Sequence, residues 1–226
     1  MKKILYIVPN LYIASGVSTV IMNYYNNINK EKFQIDFLVM KKYDKSFEKE
    51  LIENKSKIFY LKNRYSIINS KKIKKEVEEF FRNNKYEIIE LHAPTFSFIF
   101  LKAAKKCGIP IRIVHSHSTI HSTNKIKNLL SILLNVNLKK YANRFFACSE
   151  KSGQYWFGEK VCNSDSYKLI TNGIDIKNYN FNEKIRNELR KEYNIEDKIV
   201  IGFVGRISKD KNLPFFIDVM KEVIKQ

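Results

Sequence analysis

Cysteine is scarce in this chain of 226 residues: Cys107, Cys148 and Cys162 are odd in number, scattered, and form no CxxC pair. That argues against a disulfide framework or a structural zinc site and for a reducing, cytosolic compartment. The four histidines, His92, His115, His117 and His121, make no HExxH and pair with no cysteine at zinc spacing. No apolar stretch reaches the roughly 18 residues that span a bilayer. The opening "MKKILYIVPN" has the lysines and apolar run of a signal peptide, but Pro9 and Asn10 cut that run after Ile4–Val8, so a first buried strand fits better. Also missing are an Asp-x-Asp pair, a GxxxxGK[ST] P-loop and a GxSxG elbow. The first of these argues against a metal-dependent nucleotide-sugar site of that type. Acidic residues are outnumbered, 23 against 41 basic, for a net charge of +18. Such a surface favours anionic partners: nucleic acid, an acidic membrane face or phosphorylated substrates. The lysines are spread along the chain, however, as a general composition bias would spread them. The aromatics are not interleaved with basic residues as in RNA-binding platforms, so the charge is the sole motive for a nucleic-acid reading.

What is present is alternation. Short β-branched runs, "KILYIVP", "FQIDFLVM", "SKIFYL", "EIIEL", "IRIVH", "ANRFFACS" and "YKLITNGID", alternate with helical patterns. In "GVSTVIMNYYNNI" the spacing puts Val17, Val20, Ile21 and Tyr24 on one face; in "KKIKKEVEEFFRNN" it turns Ile73, Val77 and Phe80 inward. Further helices are read over Phe96–Lys106, over Lys125–Tyr141, and over "EKSGQYWFG" behind a Ser149 cap. This order specifies an α/β, Rossmann-like parallel sheet with helices on both faces. Residues 1–175 form that unit, a charged connector runs over 176–197, and "IVIGFVGRISKDKN" opens a further strand and helix over 198–226. Ligands of such sheets sit at the carboxyl ends of the strands, which draws attention to the loops Asn10–Gly16, His92–Thr95 and His115–Thr123.

Four places carry candidate chemistry. Gly16 stands at a strand-to-helix turn, where a missing side chain lets a phosphate approach helix N–H groups; the alternative is a plain turn glycine. His115 and His117 in "IVHSHS" end the fifth strand, where an imidazole can hydrogen-bond a sugar hydroxyl or steady phosphate charge; the alternative is a buried structural histidine and an exposed one. Arg206 and Lys211 in "GRISKDKN" offer a planar fork and a point charge beside a glycine, or else a solvated basic loop. Lys71, Lys72, Lys74 and Lys75, near Ile67, Ile68 and Ile73, can dock on an anionic membrane, or form a solvated helix face.

The stretches "ASGVSTVIMNYYNNINKEKFQIDFLV", "RIVHSHS", "FFACSEKSGQYWFG", "LITNGID" and "IGFVGRISKDKN", in that order, resemble family 4 retaining glycosyltransferases of the GT-B fold, particularly the bacterial capsular and exopolysaccharide branch. That resemblance implies two Rossmann-like domains, the first for the acceptor and the second for the nucleotide sugar. It implies that Gly16 lines the donor diphosphate, that one of His115 and His117 lies near the transferred sugar, and that Arg206 and Lys211 hold the phosphates of a UDP- or GDP-linked donor, with no cofactor or metal. The Asn172–Asp175 turn would lead out of the first domain. The acceptor would be a saccharide or a lipid-linked saccharide at the inner membrane face, and nucleic acid would not be a partner. The chain stops inside what would be the second domain's first helix, so a truncated and inactive transferase is expected; the alternative is a non-catalytic acceptor-binding or membrane-docking module.

Overall fold

A computed structural model describes residues 1–63, 69–92, 98–119, 138–205 and 207–225. The chain divides into two compact units, Met1–Asp175 and Ile176–Gln226.

The first unit is built on β1 (Lys2–Val8), β2 (Phe33–Val39), β3 (Ile58–Tyr60), β4 (Ile88–Leu91), β5 (Ile111–Ser116), β6 (Arg144–Ala147) and β7 (Tyr167–Leu169). All neighbours pair parallel, in the order β3-β2-β1-β4-β5-β6-β7. The helices are α1 (Gly16–Asn27), α2 (Glu48–Glu53), α3 (Ser70–Asn83), α4 (Phe98–Lys106), α5 (Glu150–Phe157) and α6 (Glu159–Cys162). The chain is also helical at 138–141; the rest of the helix read over Lys125–Tyr141 lies outside the described residues.

The continuous apolar runs of the strands follow from burial on both faces. On one face Leu5, Ile7, Ile89, Leu91 and Val114 pack with Ile73, Val77 and Phe81 of α3, Phe100 of α4 and Trp156 of α5. On the other, Tyr6, Val8, Phe37 and Val39 meet Ile21, Met22 and Tyr25 of α1 and Leu51 of α2. Two helical faces differ from the spacing argument. The buried residues of α1 are Ser18, Ile21, Met22 and Tyr25, turned by one residue from Val17, Val20 and Tyr24. Ser18 can face inward because its hydroxyl donates to the Asn10 carbonyl 3.0 Å away. In α3 Phe81, 2% exposed, takes the core position, while Phe80 packs edge-on against Phe59 of β3.

In the second unit α7 (Glu183–Glu192) is capped by Asn182, whose side chain accepts from the Ile185 N–H, and α8 (Leu213–Ile224) follows a 3-10 turn at Lys209–Lys211. The run read as a buried strand does not pair: 199–204 carries no strand assignment, and Ile199 is 94% exposed. A strand needs neighbours for its backbone groups, and among the described residues this unit holds no other strand. Phe203 meets the Phe216 ring at 5.6 Å between centroids, and Val204 and Phe215 are exposed, the loose packing expected of one apolar run and one helix without further layers.

Candidate functional site

The strand order places a natural crevice. β1, β2 and β3 step outward in one direction, and β4 returns to the other side of β1, so the chain leaves β1 and β4 in opposite directions at their carboxyl ends. That is the switch point where open parallel sheets bind ligands. Two features meet this edge: the β1–α1 turn and a cluster of histidines.

The β1–α1 turn is held from within. Asn10 Oδ1 accepts from the Tyr12 N–H at 3.0 Å, and Ser15 caps α1 by accepting from the Ser18 N–H at 3.4 Å. The first turn holds no acidic side chain. A Cβ on Gly16 would meet nothing within 4 Å. Glycine is therefore demanded neither by crowding nor by a positive φ; it leaves open room at the positive end of the helix, where an anion is favoured.

His92 follows β4, His115 belongs to β5, and His117 stands just past it. The three rings form a triangular cluster, with centroids 4.2 Å apart for His115–His117 and 5.3 Å for both His92–His115 and His92–His117; His117 stacks on each of the other two, which are tilted to one another by 37°. His92 Nδ1 lies 3.0 Å from His117 Nε2. Glu90 Oε1 lies 2.8 Å from His115 Nδ1 and 3.6 Å from His92 Nε2. His92 Nε2, His115 Nε2 and His117 Nδ1 are buried without a hydrogen-bond partner. Burial, and after it the neighbouring rings, hold His92 well below the usual imidazole range. Burial and then His115 push His117 down to about 3, with Asn172 pulling the other way.

The site is walled on one side by α1 and the turn after β7. Tyr24 Oη donates to the Thr171 carbonyl at 2.8 Å, and Asn23 Nδ2 to the Gly173 carbonyl at 2.8 Å. The Tyr24 ring faces His115 at 6.3 Å. From the other side α5 fixes the segment beyond His117. Ser152 Oγ donates to the Ser118 carbonyl at 3.0 Å, Trp156 Nε1 donates to it at 2.6 Å, and the hydroxyls of Ser116 and Ser152 bond to each other.

His115 and His117 are thus brought together, on the sheet edge from which α1 starts at Gly16. The sequence pointed to His92 only as the start of a loop at a strand end, and it did not point to Glu90 as a site residue. The sequence holds a partial signal for Glu90, since an acid in the penultimate place of an otherwise apolar strand must find a buried partner, but it does not show which partner. Arg206 and His121 lie outside the described residues, as do 93–95 and 120–123 of the loops singled out. Lys211 is exposed in the 3-10 turn of the second unit. Lys71, Lys72, Lys74 and Lys75 are exposed on α3, but Ile73 between them is fully buried, so the helix offers no apolar face there. One nitrogen from each of His92, His115 and His117 lies within 4.8 Å of the others. A tetrahedral metal with bonds of about 2.0–2.1 Å would hold such nitrogens roughly 3.3 Å apart, closer than the 4.8 Å within which they lie here.

With the geometry in place, comparison with known proteins decides the family. The sequence model of Glycosyltransferase Family 4 matches residues 14–178. The chain belongs to this family. A relative in Bacillus subtilis (strain 168), named "Putative glycosyltransferase EpsF", is 25% identical over 224 residues, covering 96% of this chain and 57% of the relative. Among solved structures, Anabaena Alr3699/HepE in complex with UDP superposes with a TM-score of 0.70 at 17% identity, over 98% of this chain and 58% of that one. The same protein with UDP-glucose gives 0.66 at 17% identity, with the same coverage. These likenesses show the α/β, Rossmann-like GT-B fold. The chain spans less than three-fifths of the length of each of these relatives. No helix among the described residues is long and apolar enough to cross a membrane.

Proposed function

We propose that the protein acts as a retaining glycosyltransferase, moving a hexosyl group from a UDP- or GDP-linked donor to a saccharide or lipid-linked acceptor in surface polysaccharide synthesis. The observation that carries this reading is the pairing, at the switch point of a family 4 chain, of an open helix N-terminus at Gly16 with the stacked pair His115 and His117. The name of the EpsF relative and the UDP-glucose bound by HepE agree with it. In this reading the α1 N-terminus faces the donor diphosphate, and the histidines meet hydroxyls of the transferred sugar. Arg206 and Lys211 neutralise the departing nucleoside diphosphate. Fixed positive charge at the leaving group lowers the barrier without a metal.

The test is genetic and chemical. His115→Ala, His117→Ala and Gly16→Val are introduced at the chromosomal locus, and the cell's polysaccharides are profiled beside UDP and GDP release from a panel of donor sugars by the purified gene product. The expected result is loss of one polysaccharide and of release from one donor. Unchanged polysaccharide and release in all three variants would sink the proposal.

A second reading, an acceptor or membrane-docking surface, rests on a shallow cavity of about 160 Å³ lined by Ser70, Lys71, Lys74, Phe98, Ile99 and Lys102. The cavity lies where α3 begins, beside the described part of α4, so three lysines and the N-terminus of α3 share one place. Contact with an anionic membrane surface would be electrostatic, since Ile73 stays in the core. Docking of this kind would hold the protein at the inner face of the cell membrane.

A further inference from the structure

We propose that Glu90 is a positioning residue: it orders the protons of the three imidazoles so that His115 Nε2 and His117 Nδ1 are left as bare acceptors, a site for sugar hydroxyl donors. The inference deepens the transferase reading, on which the identity of the ligand rests.

A neutral histidine carries one N–H and one lone pair, and a carboxylate can only accept. His115 Nδ1, 2.8 Å from Glu90 Oε1, must therefore hold the ring's proton, which leaves Nε2 bare. His92 Nε2 faces the same oxygen at 3.6 Å. A lone pair turned toward the carboxylate would be repelled, so the proton of His92 sits on Nε2, and its Nδ1 accepts. The contact of 3.0 Å between His92 Nδ1 and His117 Nε2 then runs one way, with His117 Nε2 donating. The proton of His117 is used there, and its Nδ1, with the Asn172 side chain near the ring but no group among the described residues in hydrogen-bonding geometry, is bare. One carboxylate thus sets three tautomers.

The two nitrogens at the far ends of these chains are among the buried atoms without a partner. The third orphan, His92 Nε2, is the one that bears a proton toward Glu90. Burial with no partner is costly for an acceptor, so a ligand that supplies O–H donors is favoured at both ends. His117, the one ring of the three that keeps some exposure, is where a ligand reaches them. A sugar carries such donors on adjacent carbons, whereas the esterified diphosphate of a nucleotide sugar carries none at neutral pH. The cluster therefore suits the glycosyl part of a donor or acceptor, while the anion falls to the α1 N-terminus.

The test reads protons directly. In the [15N]histidine-labelled chain, long-range proton–nitrogen spectra separate bare ring nitrogens from protonated ones. The expected pattern is N–H at His115 Nδ1, His92 Nε2 and His117 Nε2. In Glu90→Gln, whose amide can donate as well as accept, at least His115 is expected to shift toward the other tautomer, with the circular dichroism unchanged. A proton on His115 Nε2 or His117 Nδ1 in the unaltered chain would overturn the proposal, and this readout needs no folded variant. So would an unaltered tautomer pattern in folded Glu90→Gln. Glucose and UDP-glucose are then titrated, and the two bare nitrogens are expected to shift; no response to either sugar overturns the hydroxyl assignment. Stoichiometric binding of Zn²⁺ that perturbs all three rings overturns it in favour of a cation. Because the tautomers are read with no donor present, their failure leaves the transferase reading standing.

Discussion

His92 Nδ1 lies 3.0 Å from His117 Nε2, so two buried imidazoles meet directly, with the Glu90 carboxylate 3.6 Å from His92 Nε2. This fixes a pH dependence. In the unfolded chain an imidazole takes up its proton near 6.5; in the folded protein burial delays that for His117 to about 3 and moves His92 in the same direction. Above 6.5 neither state binds the proton, and no stability is lost. Below it the unfolded state binds more protons, so stability falls as pH drops from 6.5, down to about 3 for the part due to His117 and in the same direction for His92. At about 1.4 kcal/mol per unit, the loss amounts to several kcal/mol. Urea denaturation across that window should show the slope, and His117→Gln should flatten it by about one proton.

Trp156 supplies a second, smaller effect. Its Nε1 donates to the Ser118 carbonyl, which also accepts from Ser152 Oγ, so Trp156→Phe removes one donor without stranding the acceptor. The expected cost is about 1 kcal/mol, a fall of about 3 °C in Tm. Hydrogen exchange at residues 116–118 should quicken more than in β1. Equal protection in both proteins would show that α5 does not hold this segment.

Gly153 and Tyr167 are coupled by contact. A Cβ at Gly153 would run into the Tyr167 hydroxyl and ring, and that hydroxyl is itself buried without a partner. Gly153→Ala gains helix propensity, about 1 kcal/mol, but the overlap costs about 1–3 kcal/mol and is expected to decide the sign. Tyr167→Phe removes an unmet polar atom and should be neutral or stabilising. The pair together should lose less than Gly153→Ala alone, which a double-mutant cycle measures.

These residues also show what a sequence discloses. All seven strands of the sheet were legible: in central β1 burial on both faces writes an unbroken apolar run, Ile4–Val8, while the edge strands β3 and β7 showed through their place in the alternation. The site was legible by address, His115 and His117 at a strand end, since topology dictates where ligands bind. Glu90 was not, because its partners come from β5 and from the residue after β4; only pairing of those strands creates the bond. The buried side of α1 was misjudged by one residue, because Ser18 looks polar until Asn10 accepts from it. The run 199–204 reads as a strand on composition, but a strand exists only with a neighbour to pair with.

The lysines of α3 carry the last prediction. Lys71, Lys72 and Lys75 are exposed and form no ion pair among the described residues, whereas Lys74 reaches Glu78 at 4.0 Å and Glu78 is further held by Lys106 at 2.8 Å. Replacing Lys71, Lys72 and Lys75 by Gln therefore leaves the Glu78 cluster intact, and each change should stay within about 0.5 kcal/mol of the original stability. If α3 docks on an anionic bilayer, each lysine near the surface contributes about 1 kcal/mol. The triple variant should then bind phosphatidylserine vesicles about 100-fold more weakly, and salt should weaken the original protein in the same way. Vesicle co-sedimentation that is insensitive to the substitutions would remove α3 from the membrane. Ile73→Asp separates docking from folding: it buries a carboxylate in the core beside Val77, and should lower Tm whether or not a membrane is present.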